Sequence, residues 1–259
     1  MKNKLITGLV HTAAAGALFA SATAAHAEDG EWEFALAPLF LWGVSIDGDA
    51  TIEGNTAPLD LEFKDDLLDN MDAVLTFHFE ARKNNWTIFT ELQAMKLKPS
   101  GTAGIGPISV DADIEFENIM FELGGGWAFI NSENSRWEVI GGGRYFDQDV
   151  EVDLEATLPG LLPGRNRTIK GGDDWAHAFA GLRGSYSFTK RWSVIGRLDW
   201  GFAGSDNKAT NFSGMFDYRF RDWGSVFIGY RYMDIRYDES SYGYDAIQQG
   251  PLAGLSFYW

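Results

Sequence analysis

The chain has 259 residues with 37 acidic against 21 basic side chains, a formal net charge of −16, and no cysteine. That charge excludes nucleic-acid binding by counterion release. The lack of cysteine excludes a disulfide scaffold, a thiolate metal site and a lipid-anchored lipoprotein, and it suits an oxidising compartment.

Residues 1–27 have the pattern of a secretory signal. Lys2 and Lys4 precede an apolar, alanine-rich run from Leu5 to Ala25. Ala25-His26-Ala27 then supplies small residues for cleavage before Glu28. Gly8, His11, Thr12 and Gly16 interrupt the run and make it a poor membrane anchor. The mature part, 28–259, keeps 19 basic and 37 acidic residues.

No mature segment approaches 18 uninterrupted apolar residues, so no membrane helix is expected. Aromatics nevertheless make up 15% of the chain, with ten tryptophans and thirty glycines. Period-two alternation dominates and helical periodicity is almost absent, which points to β-structure with one apolar face.

Ten alternating segments follow in order. They are expected near 32–46, 73–82, 86–97, 114–130, 137–152, 175–188, 192–202, 210–220, 225–237 and 246–259. Four short polar turns recur, each leading into a tryptophan: Asn84-Asn85-Trp86, Asn134-Ser135-Arg136-Trp137, Thr189-Lys190-Arg191-Trp192 and Asp222-Trp223. The opposite connections are long, near 46–72, 99–113, 153–173, 204–208 and 237–244. Short turns at one end and long loops at the other are the asymmetry of outer-membrane barrels. The expected fold is all-β: a closed antiparallel up-and-down transmembrane β-barrel of about ten strands, with short periplasmic turns and long extracellular loops. An eight-stranded alternative requires one hairpin to lie outside the membrane.

Spacing supports the membrane reading. Trp192 and Trp200 are eight residues apart, and Trp32 and Trp42 ten. At ~3.3 Å per residue and a tilt of about 40°, these pairs span roughly 20–25 Å, the height of the apolar band. Trp86, Trp137, Trp192 and Trp259 are expected in the periplasmic aromatic girdle. Trp42, Trp175 and Trp200 are expected in the outer one.

Alternation turns one charge set inward: Glu80, Glu91, Glu122, Asp199 and Asp217 with Arg82, Arg144, Arg183, Arg197, Arg219 and Arg231. A barrel this narrow is filled by its side chains. The set therefore reads as a salt-bridged polar plug, or alternatively as the lining of a thin ion-selective channel. The first long loop is acidic, from Asp47 to Asp72, without EF-hand spacing. The third carries Arg165, Arg167 and Lys170. The mature chain has two histidines, His78 and His177. His177 lies near Asp173 and Asp174, and an Asp–His pair at a barrel rim would activate water, as in the outer-membrane proteases of similar strand count. No phosphate loop, HExxH or GxSxG motif occurs, and neither metal nor cofactor is expected.

The final strand alternates Ala253, Leu255, Phe257 and Trp259 with Leu252, Gly254, Ser256 and Tyr258, and ends on an aromatic. It resembles the recognition strand read by the barrel-assembly machinery, with Gly254, Phe257 and Trp259 in place and Leu252 where that signal ordinarily has a polar residue. The segments Phe79-Glu80-Ala81-Arg82-Lys83, Gly181-Leu182-Arg183-Gly184, Gly229-Tyr230-Arg231-Tyr232-Met233-Asp234 and Gly250-Pro251-Leu252-Ala253-Gly254-Leu255 resemble those of a widespread group of bacterial outer-membrane β-barrel proteins, itself loosely similar to opacity-type small porins. That resemblance covers most of the mature chain. It implies architecture and location, and partners in outer-membrane lipid, lipopolysaccharide and the barrel-assembly machinery, but no activity. The function expected is non-enzymatic: a structural or surface barrel, or a narrow porin-like pore. The alternative is a rim hydrolase built on His177.

Overall fold

The structure, a computed structural model, describes residues 30–61, 71–98, 100–105, 108–157, 165–239 and 241–259. The expected signal segment, 1–27, lies outside the described residues, as do Glu62, Asp65, Asp66 and Asp69 of the first acidic loop.

Every regular element described is a strand. In chain order they are β1 (Glu33–Ala37), β2 (Phe40–Trp42), β3 (Ser45–Ile52), β4 (Asn55–Leu61), β5 (Met71–Lys83), β6 (Trp86–Leu97), β7 (Ser100–Ile105), β8 (Ile108–Asn131), β9 (Ser135–Thr157), β10 (Arg165–Ser187), β11 (Trp192–Phe202), β12 (Asn207–Arg221), β13 (Gly224–Asp238) and β14 (Tyr242–Tyr258). Ten staves close an antiparallel barrel in the order β1-β5-β6-β8-β9-β10-β11-β12-β13-β14, and β1 pairs with β14 to complete it. The short β2 continues the first stave along β14. The strands β3, β4 and β7 are additional.

Alternation explains closure. Along β11, Trp192, Trp200 and Phe202 are exposed while Asp199 is fully buried. Along β12, Phe212 and Phe216 are exposed, and Ser213 and Asp217 are buried. The exposed aromatic and aliphatic residues form one outward band. Its lower edge carries Trp32, Trp86, Trp127, Trp137, Trp192, Trp223 and Trp259, beside the short turns. Its upper edge runs through Leu41, Phe121, Trp200, Phe202 and Phe212. Charged residues follow on the outer surface: Lys96 bridges Glu115 and Glu117, and Arg236 meets Asp245. Trp192 to Phe202 is ten residues, or ~25 Å when tilted, the height of a bilayer's apolar core at such barrels.

The long loops expected at the other end are mostly strand. β8, β9 and β10 run well past the apolar band, β7 pairs back on β8, and β3–β4 forms a hairpin beside β14. Past the apolar band a strand still has a dry face to cover. Ile46, Phe116 and Val150 continue the inward apolar series and are buried there, while the outer face becomes polar. The two-residue period therefore persists beyond the apolar band. Leu59 of the hairpin and Val152 of β9 pack against this same cluster.

The first stave contains a register change that the sequence reading lacks. β1 aligns Leu36 with Phe257, whereas β2 aligns Phe40 with Gly254, so one extra residue is accommodated between them. A one-residue insertion turns every following side chain to the opposite face. Pro38, which has no N–H to donate, sits in this bulge. The β1–β5 ladder also stops at Ala37–His78. Beyond it Thr76 holds the seam by its side chain: its Oγ1 accepts from Phe40 N at 2.8 Å and donates to Phe40 O.

Candidate functional site, the barrel lumen

The bulge and strand parity correct two girdle assignments. Trp42 lies after the bulge and faces inward, with the Arg231 guanidinium 5.1 Å from its ring centre. Trp175 shares parity with His177 and Phe179, and all three are buried. Trp86, Trp137, Trp192, Trp200 and Trp259 are on the outer surface. Trp200 is thus the tryptophan of the upper edge, and aromatic and aliphatic side chains fill the rest of that edge.

Within the lumen the inward charges join into one connected system. Glu122 accepts from Arg144 Nε and Nη2 at 2.9 and 2.6 Å and from Arg197 Nη1 at 2.6 Å. Asp199 accepts from the same two arginines at 2.8 and 2.7 Å, and from Asn211 Nδ2 at 2.7 Å. Both carboxylates and Arg144 have fully buried side chains. Asn211 accepts from Arg231 Nε at 3.0 Å, and Arg231 Nη1 donates to Glu91 at 2.5 Å. His78 links Glu91 (3.3 Å) to Glu80 (3.9 Å). Glu80 also pairs with Arg82 and Arg183. Arg183 continues to Glu138, which also accepts from Arg136 and Thr87, each at 2.6 Å.

His78, Glu138 and Arg136 are the ionisable members the sequence reading missed. Their signal was parity: Glu138 shares the inward face of β9 with Ile140 and Arg144. Two expected members stand apart. Arg219 is exposed at the turn end, its guanidinium 4.2 Å from the Tyr258 ring centre. Asp217 is buried and accepts from Ser225 Oγ at 2.5 Å.

The glycine runs make room for this system. A Cβ at Gly124 would fall 2.5 Å from Phe89 Cζ, and one at Gly142 2.8 Å from Phe179 Cζ. Without side chains there, Phe89 and Phe179 lie against the wall and offer ring faces to the guanidiniums of Arg144, Arg183 and Arg197, at 5.0–5.3 Å. Cation–π contacts thus cover the arginine faces while carboxylates take their edges. A buried charge costs several kcal/mol unless paired, and these pairs share partners on both sides.

Above the charges the lumen becomes apolar. Trp175 stacks on Tyr237 at 4.3 Å and 9°, and on Phe146 at 5.2 Å. Met233, Ile235, Tyr242, Tyr244 and Ile46 complete a buried cluster at the loop end. Ile52 of the β3–β4 hairpin reaches Gly171 of β10, on the opposite wall: a Cβ on that glycine would lie 2.6–2.8 Å from the Ile52 side chain. The hairpin therefore crosses the upper mouth. At the turn end the lumen is open and polar, with a cavity of about 700 Å³ between Glu33, Arg82, Asn85, Asn131 and Arg136.

The histidine alternative does not assemble. His177 is buried, and its Nδ1 lies 3.1 Å from Asn207 Oδ1. Asp173 accepts from Tyr237 OH at 2.8 Å, and Asp174 lies on the outer face of the sheet. Among the described residues, no three His, Asp or Glu side chains converge as a metal site. Of the basic residues in the third long connection, Lys170 pairs with Glu151 at 2.6 Å. The side chains of Arg165 and Arg167 lie outside the described residues.

The terminal strand packs as an assembled edge. Phe257 stacks on Trp223 at 6.0 Å, and Trp259 on Phe34 at 5.6 Å. A Cβ at Gly254 would fall 2.6 Å from Phe227 Cζ and 2.7 Å from Phe40 Cβ. Leu252 is buried with Ala37, Phe40 and Phe227, which is why this position is apolar here.

No protein-family model matches the sequence, and no curated protein matches it. Solved structures similar in shape include the outer membrane protease OmpT from Escherichia coli, with a TM-score of 0.56 and 9% identity over 92% of this chain and 100% of that one. The translocator domain of the autotransporter NalP from Neisseria meningitidis matches at 0.44 and 10% identity, over 90% and 89% of the two chains. The Ail protein of Yersinia pestis matches at 0.34 and 7% identity, over 90% and 100%. At 9% identity the first likeness shows a shared fold alone: the chain has the closed antiparallel β-barrel fold seen in outer-membrane proteins.

Proposed function

We propose that this chain is a bacterial outer-membrane protein with a non-enzymatic, structural or surface role. It spans the bilayer as a sealed barrel and carries a β-sheet extension above the outer surface. Export would follow removal of 1–27, and the barrel-assembly machinery would receive the strand bearing Gly254, Phe257 and Trp259. Outer-membrane lipid and lipopolysaccharide would surround the band between Trp86 and Trp200.

One observation carries this reading over the porin-like one. The lumen that would conduct ions is filled twice, by paired charges around Glu122 and Asp199 and by the aromatic cluster around Trp175. An ion would have to displace both. The test is purification in detergent, with compact gel migration before heating as proof of folding, followed by planar-bilayer recording on the same sample. The expected result is a folded barrel with no steady conductance. Reproducible unitary steps from the folded form would overturn the sealed reading in favour of a narrow pore.

A further inference from the structure

The barrel wall is interrupted between its first two staves. β1 and β5 pair from Glu33–Arg82 to Ala37–His78, and no ladder joins the staves beyond that point. β2 pairs with β14 alone, and β3 with β14 and β4. On its other side β5 is held by β6 without a break from Ala73 to Lys83. Along Pro38–Trp42, the bonds between described residues of the two staves are those of the Thr76 hydroxyl with the Phe40 backbone. The interruption lies within the outward apolar band, since Leu39 and Leu41 beside it are exposed on that surface.

An open sheet edge is not tolerated against hydrocarbon unless it is covered by protein or lines a cavity. Such a cavity, of about 160 Å³, lies behind this one. Ala37 and His78, where the ladder stops, and Phe40, beside the Thr76 latch, all line it. A cavity of that size holds a body about as large as benzene. Ala37, Phe40, Phe227 and Leu252 form an apolar cluster along its wall. The carboxylates of the same wall are already engaged: Glu80 with Arg82 and Arg183, Glu91 with Arg231, and Asp217 with Ser225 Oγ. A charged guest would have to compete with these partners, whereas a neutral apolar one covers the cluster and leaves them in place.

We propose that the interruption is a lateral opening, through which a small neutral apolar molecule about the size of benzene enters the cavity from the surrounding lipid. Pro38, in the bulge, has no N–H to add to the wall. Release of Phe40 by Thr76 frees the first stave from β5 at this level. The aromatic cluster keeps the loop end closed throughout, so lateral entry is compatible with a barrel that does not conduct. The inference rests on the reading of the chain as a bilayer-spanning barrel.

The probe is phenyl azide, a neutral photoreactive ring, added to the wild-type barrel in lipid vesicles, with adducts mapped by mass spectrometry. 4-Azidobenzoate, the same ring kept in water by its charge, is the second arm. It is needed because Arg82 lines both the cavity and the open mouth at the turn end, which gives water its own route. Phenyl azide is expected to mark the outward Leu39, Leu41 and Phe216 and, in addition, Phe227 and Leu252 in the cavity. Excess toluene should lower the cavity adducts at least fivefold and leave the outward ones, and 4-azidobenzoate should mark the cavity at least tenfold less. Phe40→Cys/Thr76→Cys places a disulfide across the interruption. Oxidised, this variant should show at least fivefold fewer cavity adducts than the same variant reduced. If that bond does not form, Thr76→Val decides, with cavity adducts expected to rise at least twofold. Outward adducts without cavity adducts overturn the opening alone; loss of the outward adducts as well overturns the bilayer-spanning reading beneath it. Equal cavity marking by 4-azidobenzoate, or cavity adducts indifferent to the deciding variant, place entry at the turn end and overturn the lateral route.

Discussion

Replacing Glu122 by Gln tests whether the lumen charges act as a closed group. Glu122 and Asp199 share Arg144 and Arg197, two carboxylates to two guanidiniums, with the side chains of Arg144 and both acids fully buried and that of Arg197 nearly so. Glu122→Gln keeps the shape and removes one negative charge, leaving two guanidiniums to one carboxylate. Removing one partner of a buried pair costs about 3–5 kcal/mol, which corresponds to a urea midpoint lower by on the order of 2 M. Arg144→Met should cost a similar amount, because it leaves two carboxylates to one guanidinium. The double variant Glu122→Leu/Arg144→Met should be less destabilised than either single variant. It leaves Arg197 bonded to Asp199 at 2.7 Å, a neutral pair that Asn211 also supports. Urea unfolding in detergent micelles, read by tryptophan fluorescence and by compact gel migration, gives all three midpoints. Single-variant losses below about 1 kcal/mol, or losses that simply add in the double variant, would refute the shared-partner account.

Three further outcomes follow from the packing. Trp175→Ala should cost about 3–5 kcal/mol, since the ring is buried between Tyr237 and Phe146, and should erase part of the near-ultraviolet dichroism; an unchanged midpoint would mean that the plug is loose. Thr76→Val removes the hydroxyl that both accepts from and donates to Phe40, and should cost about 1–3 kcal/mol and speed exchange of the Phe40 amide; unchanged exchange would show the seam to be held by other groups. The plug tyrosines lie above the apolar band, level with the exposed Arg236–Asp245 pair, and should ionise late. Burial pushes Tyr244 up to about 12, and burial together with the Asp173 carboxylate raises Tyr237. These folded values stand above the unfolded value of about 10, so the folded state holds the extra protons. Their stabilisation is full below pH 10 and declines as pH rises through that window. Absorbance titration should show a late tyrosine fraction lost on unfolding, and a titration that is the same in both states would contradict the burial.

Much of the architecture was legible because alternation is a strong local signal. Trp192, Val194, Leu198 and Trp200 on one parity, with Arg197 and Asp199 on the other, fix both faces of β11 without any distant contact. Turn chemistry at Asn84-Asn85 and Thr189-Lys190-Arg191 fixed the hairpins. Two kinds of information were hidden. The bulge at Pro38 depends on how β1 and β2 each align with β14, which no local pattern encodes, and its consequence was the misassigned face of Trp42. The outer reach of β8, β9 and β10 was read as loop because a strand past the apolar band carries charges such as Asp113, Asp153 and Lys170 on the face that lipid would otherwise cover. In the lumen, parity found most of the charges. The partners of Glu138, and the separation of Arg219 from the rest, depend on which strands face one another across the barrel.

The most direct test is a spin-label scan, for which the absence of cysteine is convenient. Single cysteines at positions 194, 195, 196 and 198 of β11, and at 39, 40, 41 and 42 of the first stave, would be labelled in a lipid bilayer and read by collision with dissolved oxygen. The account predicts high accessibility at 194, 196 and 198 and at 39 and 41, with protection at 195, 40 and 42. Equal accessibility along β11, or labels at 40 and 42 as exposed to oxygen as the one at 41, would contradict a barrel whose residues alternate between lipid and lumen and whose first strand changes face at Pro38.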